Sequence, residues 1–272
     1  FYNQWDTETP NCFSAADITS GYLQFFWTSK RIMRSKTAYN TPYVFSAVMD
    51  WSAGSNVGGL VVRAKALGDI ESLQETTAGD PGFNREGIAF YPSTDGQNMI
   101  VQFSAADVPG NIAATQINVP KPVGVTSLLN DQGTIRIEDF GTSLYVYYRG
   151  SRYIRIDLGG LSGDVYTSGT VYDADMVSKG TFTGMEVEKT GKIGVAQRNA
   201  SMRLYSAIIQ TVIGVPAFDS DKPVATFATS YSQAFNTPWD GTTFYNQWDT
   251  VDPNCFSAAD ITSGYLQFFW TS

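Results

Sequence analysis

Residues 134–158 read TIRIEDFGTSLYVYYRGSRYIRIDL, and the spacing of their apolar side chains decides the fold. Ile135 and Ile137 fall on one side of an extended chain, while Arg136 and Glu138 fall on the other. Residues 144–149 (LYVYYR) continue the run, and Gly150-Ser151 turns it into residues 152–158 (RYIRIDL). There Ile154, Ile156 and Leu158 share a face against Arg155 and Asp157. A period of two marks antiparallel strands with one face in a core and the other toward water.

The same grammar extends in both directions. Residues 41–51 (TPYVFSAVMDW) form a β-branched and aromatic run that ends at Ser52-Ala53-Gly54-Ser55-Asn56, and residues 57–64 (VGGLVVRA) supply an antiparallel neighbour. Residues 87–92 and 98–104 flank a Ser-Thr-Asp-Gly-Gln turn, and residues 192–197 and 202–212 give the last strands before a change of character. No long amphipathic helix is present; residues 67–77 suit at most a short one on a loop. The expectation is an all-β chain of about twelve short strands in two antiparallel sheets packed face to face.

A second feature governs the organisation. Residues 1–29 (FYNQWDTETPNCFSAADITSGYLQFFWTS) recur as residues 244–272, with 27 of 29 positions identical and only Glu8/Val251 and Thr9/Asp252 different. The offset is 243 residues, the length of one large β domain. The two copies read as the openings of successive repeats in a head-to-tail tandem array. On that reading, residues 1–214 are one repeat lacking its opening strand. Residues 215–223 (VPAFDSDKP), Pro-flanked and polar, are a linker, and residues 224–272 open the next repeat. Closure of a short connection is expected to place the first copy in its own body. The second copy then projects past the linker, presenting Phe244, Tyr245, Trp248, Phe256, Tyr265, Leu266, Phe268, Phe269 and Trp270 to a neighbouring repeat. Burying that set is worth on the order of 10 kcal/mol or more.

Composition narrows the function. The net charge of −8 with no basic cluster disfavours nucleic acid and anionic membrane surfaces as partners, and no apolar run reaches the length of a membrane span. The chain has no His, which removes the usual zinc ligand and every Ser-His or Cys-His nucleophile pair. Its two Cys, Cys12 and Cys255, occupy the same position of each copy. In an extended array they lie too far apart to bond to each other, so each is a buried thiol or pairs with another strand of a filament.

The segment Gly21-Tyr22-Leu23-Gln24-Phe25 is followed by residues 42–51 and then by Gly58-Gly59-Leu60-Val61-Val62-Arg63. Residues 133–140 with 144–148, and 191–197 with 202–210, complete the series. In order and spacing these segments resemble the successive strands of the concanavalin-A-like lectin/glucanase jelly roll, the sandwich shared by laminin-G-like modules. The resemblance spans residues 21–212 and implies a jelly-roll sandwich. Laminin-G-like relatives carry calcium in acidic loops, which makes Asp173 and Asp175 of Asp173-Ala174-Asp175 a candidate calcium site; no other cofactor is expected. The glucanases of this superfamily carry three alternating carboxylates on one strand. Met185-Glu186-Val187-Glu188-Lys189 is the nearest match, with Glu186 and Glu188 roughly 6.5–7 Å apart and the third carboxylate missing.

Sugar recognition needs an aromatic face with planar polar groups beside it. Trp51, Tyr91, Tyr145 and Tyr147, with Arg63 and Arg136, lie on strands that can build such a surface, unless they fill the core. Asn199-Ala200-Ser201 is the one glycosylation sequon and falls in the turn before the last strand, marking Asn199 as an acceptor in a secreted glycoprotein. The leading expectation is a structural subunit of an extracellular or cell-surface filament, stalk or adhesin whose partners are neighbouring copies of the same repeat. It is not expected to be an enzyme. A multivalent carbohydrate-binding module with glycans as partners is the alternative, and a glycoside hydrolase comes third.

Overall fold

The computed structural model describes residues 23–24, 31–35, 37–51, 58–64, 87–104, 114–197, 202–213, 217–219, 222–234, 248–250 and 266–268. In chain order the strands are β1 (Leu23–Gln24), β2 (Arg31–Ser35), β3 (Tyr43–Trp51), β4 (Gly58–Ala64), β5 (Ile88–Pro92), β6 (Asn98–Ser104) and β7 (Ala114–Pro120). They continue with β8 (Gly133–Asp139), β9 (Ser143–Tyr148), β10 (Ser151–Ser162), β11 (Val165–Tyr172), β12 (Ser178–Glu188), β13 (Lys192–Gln197) and β14 (Met202–Val212). The last are β15 (Ala217–Asp219), β16 (Lys222–Val224), β17 (Phe227–Ala234), β18 (Trp248–Thr250) and β19 (Leu266–Phe268). Among the described residues there is no helix, and none therefore that is long and apolar enough to cross a membrane.

Two antiparallel sheets build the jelly-roll sandwich. The larger runs β1-β19-β14-β3-β8-β9-β10-β11-β12, with β17 and also β1 on β14, and the smaller runs β18-β2-β13-β4-β5-β6-β7. The alternation of residues 134–158 becomes β8, β9 and β10. Ile135, Ile137, Leu144, Val146, Ile154 and Ile156 are fully buried between the sheets, and Arg136, Tyr145, Tyr147, Arg155 and Asp157 turn outward. The opposite wall of the core comes from Leu60, Val62, Ile88, Phe90, Val101 and Phe103. Phe182 of β12 stacks on Phe103 of β6 with centroids 4.0 Å apart, and the Tyr153 hydroxyl donates to the Val119 carbonyl at 2.9 Å, so the sheets are tied by specific contacts as well as by burial.

The tightest tie is ionic. Arg63 leaves the strand geometry of β4 at φ 56°, a left-handed conformation that turns its side chain toward the core. Its guanidinium donates to both carboxylate oxygens of Asp139 on β8, at 2.7 Å from Nε and 2.6 Å from Nη2, and to the carbonyls of Glu188 and Gly141. The Gly141 amide completes the carboxylate at 3.0 Å. Both charged side chains have no exposed area. The reversed backbone fits because its neighbour carries no side chain: a Cβ on Gly191 would lie 2.5 Å from the Ala64 carbonyl oxygen and 2.6 Å from the Arg63 Cα.

Three expectations need correction. Arg63 cannot serve a sugar, because it is spent on Asp139 inside the sandwich. Trp51 is likewise interior, 2% exposed, with its indole N–H on the Gly58 carbonyl at 2.6 Å. The stretch 215–223 was expected as a linker, but within it and just beyond it β15 pairs antiparallel with β16 as a hairpin.

A further correction concerns the second copy of the repeated segment. Its described parts do not project away: β18 pairs with β2, and β19 pairs with β14 of the same body. β17, from the stretch read as the next repeat's opening, also lies on β14. Loop closure does not keep the second copy away, because its cost rises by only about 0.6 kcal/mol per doubling of loop length. Phe244, Tyr245, Phe256, Tyr265, Phe269, Trp270, Cys12, Cys255 and residues 67–77 lie outside the described residues.

Because Asp139 and Arg63 satisfy each other inside the core, removing one strands the other. Asp139→Ala should cost about 3–5 kcal/mol of unfolding free energy in urea. The double replacement Arg63→Met with Asp139→Leu should cost much less than Asp139→Ala. A cost below about 1 kcal/mol for Asp139→Ala would contradict this account of the pair.

Candidate functional site

The outward face of the larger sheet gathers the polar and aromatic residues that alternation excludes from the core. Strand register sets their order. Gln210 lies opposite Val44, Val44 opposite Glu138, Glu138 opposite Tyr145, and Tyr145 opposite Arg155. In the next row Ser46, Arg136 and Tyr147 follow one another across β3, β8 and β9.

Glu138 is the centre of this face. It takes Arg136 Nε on one carboxylate oxygen at 2.9 Å and Lys222 Nζ on the other at 2.7 Å. The Tyr147 hydroxyl donates to the second oxygen at 3.4 Å and accepts from Lys222 at 3.0 Å. Arg136 also reaches the Gln210 side-chain oxygen at 3.4 Å. The Glu138 side chain is only 8% exposed, whereas Arg136 is 37% exposed at the rim.

Lys222 comes from the β15–β16 hairpin, which lies over the sheet. Its ammonium sits 5.3 Å from the Tyr147 ring centroid and 6.0 Å from that of Tyr145, while the Arg155 guanidinium sits 5.6 Å from Tyr145. Phe140 packs edge-on against both Tyr145 and Phe227. This cover explains why Val44 and Tyr145, on the outward face, are buried. Burial pushes the Tyr147 hydroxyl above its ordinary pKa. Partial burial works against the Lys222 charge, but its bonds to Glu138 and Tyr147 outweigh that and raise its pKa.

The structure therefore brings together Arg136, Tyr145 and Tyr147 of the expected sugar-binding set. Tyr91 stands apart on the smaller sheet, 2% exposed, its hydroxyl on the Gln102 side chain, which also accepts from Gln116 at 2.9 Å. Glu186 and Glu188 lie on β12, two strands beyond β10 and away from this face's centre; Glu186 is exposed, and Glu188 is half-buried. Asp173 organises its own turn. One oxygen accepts the amides of Asp175 and Val177 at 3.0 and 2.9 Å, and the other takes Lys179 at 2.6 Å. The Asp173 carboxylate is thus paired with the Lys179 ammonium. Asn199 lies outside the described residues. Lys222 and Glu138 escaped the sequence reading, the first because it sat in an apparent linker and the second because it looked like one charge in an alternating run.

Chemically, the face offers the half-buried Tyr147 ring flanked by guanidinium, carboxylate and amide groups of the kind saccharide binding requires, whereas Tyr145, expected in the same set, is 1% exposed and covered. Hydrolysis needs a pair of carboxylates. Another acid on these strands is Asp157, held by Arg155 at 2.8 Å. It lies on β10, two strands from β8 and so roughly 10 Å away at ordinary strand spacing.

No known family's sequence profile matches the chain, and no curated protein matches it. Among solved structures it is similar to the catalytic domain of β-agarase D from Zobellia galactanivorans, at 9% identity and TM-score 0.39, covering 62% of this chain and 58% of that one. It is similar to a β-glucanase from Bacillus licheniformis, at 14% identity and TM-score 0.29, covering 61% and 57%. A third is the endo-β-1,3-glucanase from Pyrococcus furiosus, at 10% identity and TM-score 0.34, covering 74% and 76%. The chain thus spans less than two thirds of the length of the first two. The expectation that the chain is not an enzyme does not stand: its structural neighbours are named as glucanases and agarase catalytic domains. The absence of His never excluded carboxylate chemistry, since glycoside cleavage uses no imidazole.

Lys222 is the hairpin's polar anchor on the sheet. Lys222→Met should speed amide exchange across residues 217–224 by about five- to tenfold while lowering global stability by no more than about 1 kcal/mol, the anchor being partly exposed. Because the Lys222 pKa is raised on folding, its contribution is complete below the ordinary lysine value of 10.5 and is lost as pH rises through the folded value. Near-UV circular dichroism of the tyrosines should follow that loss. Unchanged exchange in Lys222→Met would show that the hairpin is held by something else.

Proposed function

We propose that the chain is a repeat unit, with the opening of the following one, of an extracellular tandem array whose role is structural or adhesive. The observation that carries this reading is the use of the repeated segment. Leu23 and Leu266 are equivalent positions of the two copies, 243 residues apart, and both lie opposite Leu204 of β14. Gln24 and Gln267 both lie opposite Arg203. Identical side chains seek one position in one fold, as successive repeats of an array do. β17 supports the same reading. It pairs with β14 along residues 206–212 and comes from the stretch that leads into the second copy. An array gains reach with each unit, and near-identity between neighbours suits a protein whose useful property is length.

The gathering of Arg136, Glu138, Tyr145 and Tyr147 on one face favours a second reading, a multivalent carbohydrate-binding module in which repetition raises a weak affinity. The two readings are compatible on one scaffold, since the face centres on β8 and β9 and the repeated segment pairs at residues 202–204 of β14. A glycan array probed with the chain should show binding that Arg136→Ala removes if the face reads sugars. Equal signals from the chain and Arg136→Ala would eliminate that role for the face.

For the array itself, concatemers of one, two and three 243-residue units should be measured by small-angle X-ray scattering. The maximum dimension should grow by roughly 50 Å with each unit. Units that collapse together without lengthening would contradict an extended array.

A further inference from the structure

The groups that hold the Lys222 ammonium form a set. Its nitrogen donates to Glu138 Oε2 at 2.7 Å and to the Tyr147 hydroxyl at 3.0 Å, with the Tyr147 and Tyr145 ring centroids 5.3 and 6.0 Å away. A carboxylate and a phenol oxygen accept N–H bonds, and two ring faces attract the charge, which together select a primary ammonium. The set belongs to the sheet and not to the hairpin. Glu138 on β8 lies opposite Tyr145 on β9, and Arg136 lies opposite Tyr147. Arg136 Nε takes Glu138 Oε1 at 2.9 Å and leaves Oε2 to the ammonium. The Glu138 side chain is 8% exposed against 25% for Lys222, so the seat is set into the sheet and its occupant comes from the solvent side.

The occupant is lightly attached. β15 and β16 have three residues each and, among the described residues, pair only with each other. They continue the β14–β17 ladder, in which Val212 lies opposite Phe227 and the Ile213 amide donates to the Thr226 carbonyl at 2.8 Å. A two-stranded hairpin on its own is marginally stable, and lifting this one off the face breaks no strand pairing described for the two large sheets.

We propose that Glu138, Tyr147 and Tyr145 form a binding site for a primary ammonium, that Lys222 fills it in cis, and that its external ligand is a glycan with unacetylated hexosamine units. The choice of a glycan rests on the carbohydrate-binding reading of this face; the choice of an ammonium rests on the seat itself. Around the nitrogen, the Arg136 guanidinium at the exposed rim and the Gln210 side chain beside it offer planar groups for sugar hydroxyls. A neutral sugar would replace charge-assisted bonds by neutral ones of roughly half the strength, whereas an amino sugar restores them. A tethered lysine competes at an effective concentration on the order of millimolar, so the hairpin acts as the site's own inhibitor.

The test uses the full 272-residue chain, its Lys222→Ala variant, and Lys222→Ala combined with Glu138→Gln. Calorimetric titration at mildly acidic pH compares a hexamer of glucosamine with a hexamer of N-acetylglucosamine. Lys222→Ala should bind the glucosamine hexamer at least tenfold tighter than the acetylated one, and at least tenfold tighter than the unaltered chain does. Adding Glu138→Gln should remove that preference. Equal binding of the two hexamers by Lys222→Ala would overturn the ammonium site and leave the carbohydrate reading standing.

A smaller probe separates the seat from the glycan. Propylammonium should change the tyrosine near-UV circular dichroism of Lys222→Ala saturably, and 1-propanol at the same concentrations should not. A response to propylammonium with neither hexamer bound would overturn the glycan ligand and the carbohydrate reading together. No response to propylammonium, or an equal response to 1-propanol, would overturn the ammonium site.

Discussion

Two charges taken out of water set the terms on which the sheets meet. Removing a guanidinium or a carboxylate from solvent costs several kcal/mol, and the pair Arg63–Asp139 recovers that cost only because every polar atom is answered. The carboxylate takes two guanidinium bonds and the Gly141 amide, and the guanidinium also reaches two carbonyls. Burial alone disfavours the Arg63 charge, yet the Asp139 carboxylate outweighs it and holds the arginine's pKa above its ordinary value. The geometry has consequences along the chain. Arg63 reaches inward only from a left-handed backbone, and that backbone fits only where Gly87 and Gly191 let the neighbouring strands come close. A pair that fixes the backbone of β4 against β8 also fixes which side of β8 faces out.

That outward side is where chemistry collects. Once Asp139 is committed inward, Arg136 and Glu138 must face outward beside Tyr145 and Tyr147 of β9. Glu138 lies under the β15–β16 hairpin, and its burial is tolerated because Arg136 and Lys222 answer its charge and Tyr147 its lone pair. The hairpin therefore covers aromatic rings and a carboxylate at once. Any ligand of this face meets the Arg136 rim first, and reaches Tyr145 only by moving Lys222.

How far the sequence could be read depended on how strongly each segment was patterned. Residues 98–104, 192–197 and 202–212 coincide with β6, β13 and β14, and the run from 134 to 158 gave β8, β9 and β10 nearly to their ends. β7 and β11 were missed. β7 alternates, with Ile117 and Val119 buried and Gln116 and Asn118 exposed, but it is short and ends on a proline, whereas β11 (VYTSGTVY) is half-exposed and rich in small polar residues. The β15–β16 hairpin looked like a linker because Pro and Asp dominate it, and its Lys222 becomes meaningful only above Glu138. Of the expected sugar-binding residues, Arg136, Tyr145 and Tyr147 converge because neighbouring strands carry them in register. Trp51 and Arg63 went inside for reasons of pairing across the core that no local pattern reveals.

The repeated segment is the part of the sequence that most constrains the function, and the structure gives it a location. Both copies meet β14 at the same two residues, so the account turns on whether Leu204 neighbours both of them. A photoreactive leucine analogue at position 204 tests this directly in the full chain, since each molecule can form one crosslink. The account predicts two products by peptide mapping, one joining residue 204 to the peptide containing Leu23 and one joining it to the peptide containing Leu266. Capture of only one of these peptides, or of neither, would contradict it.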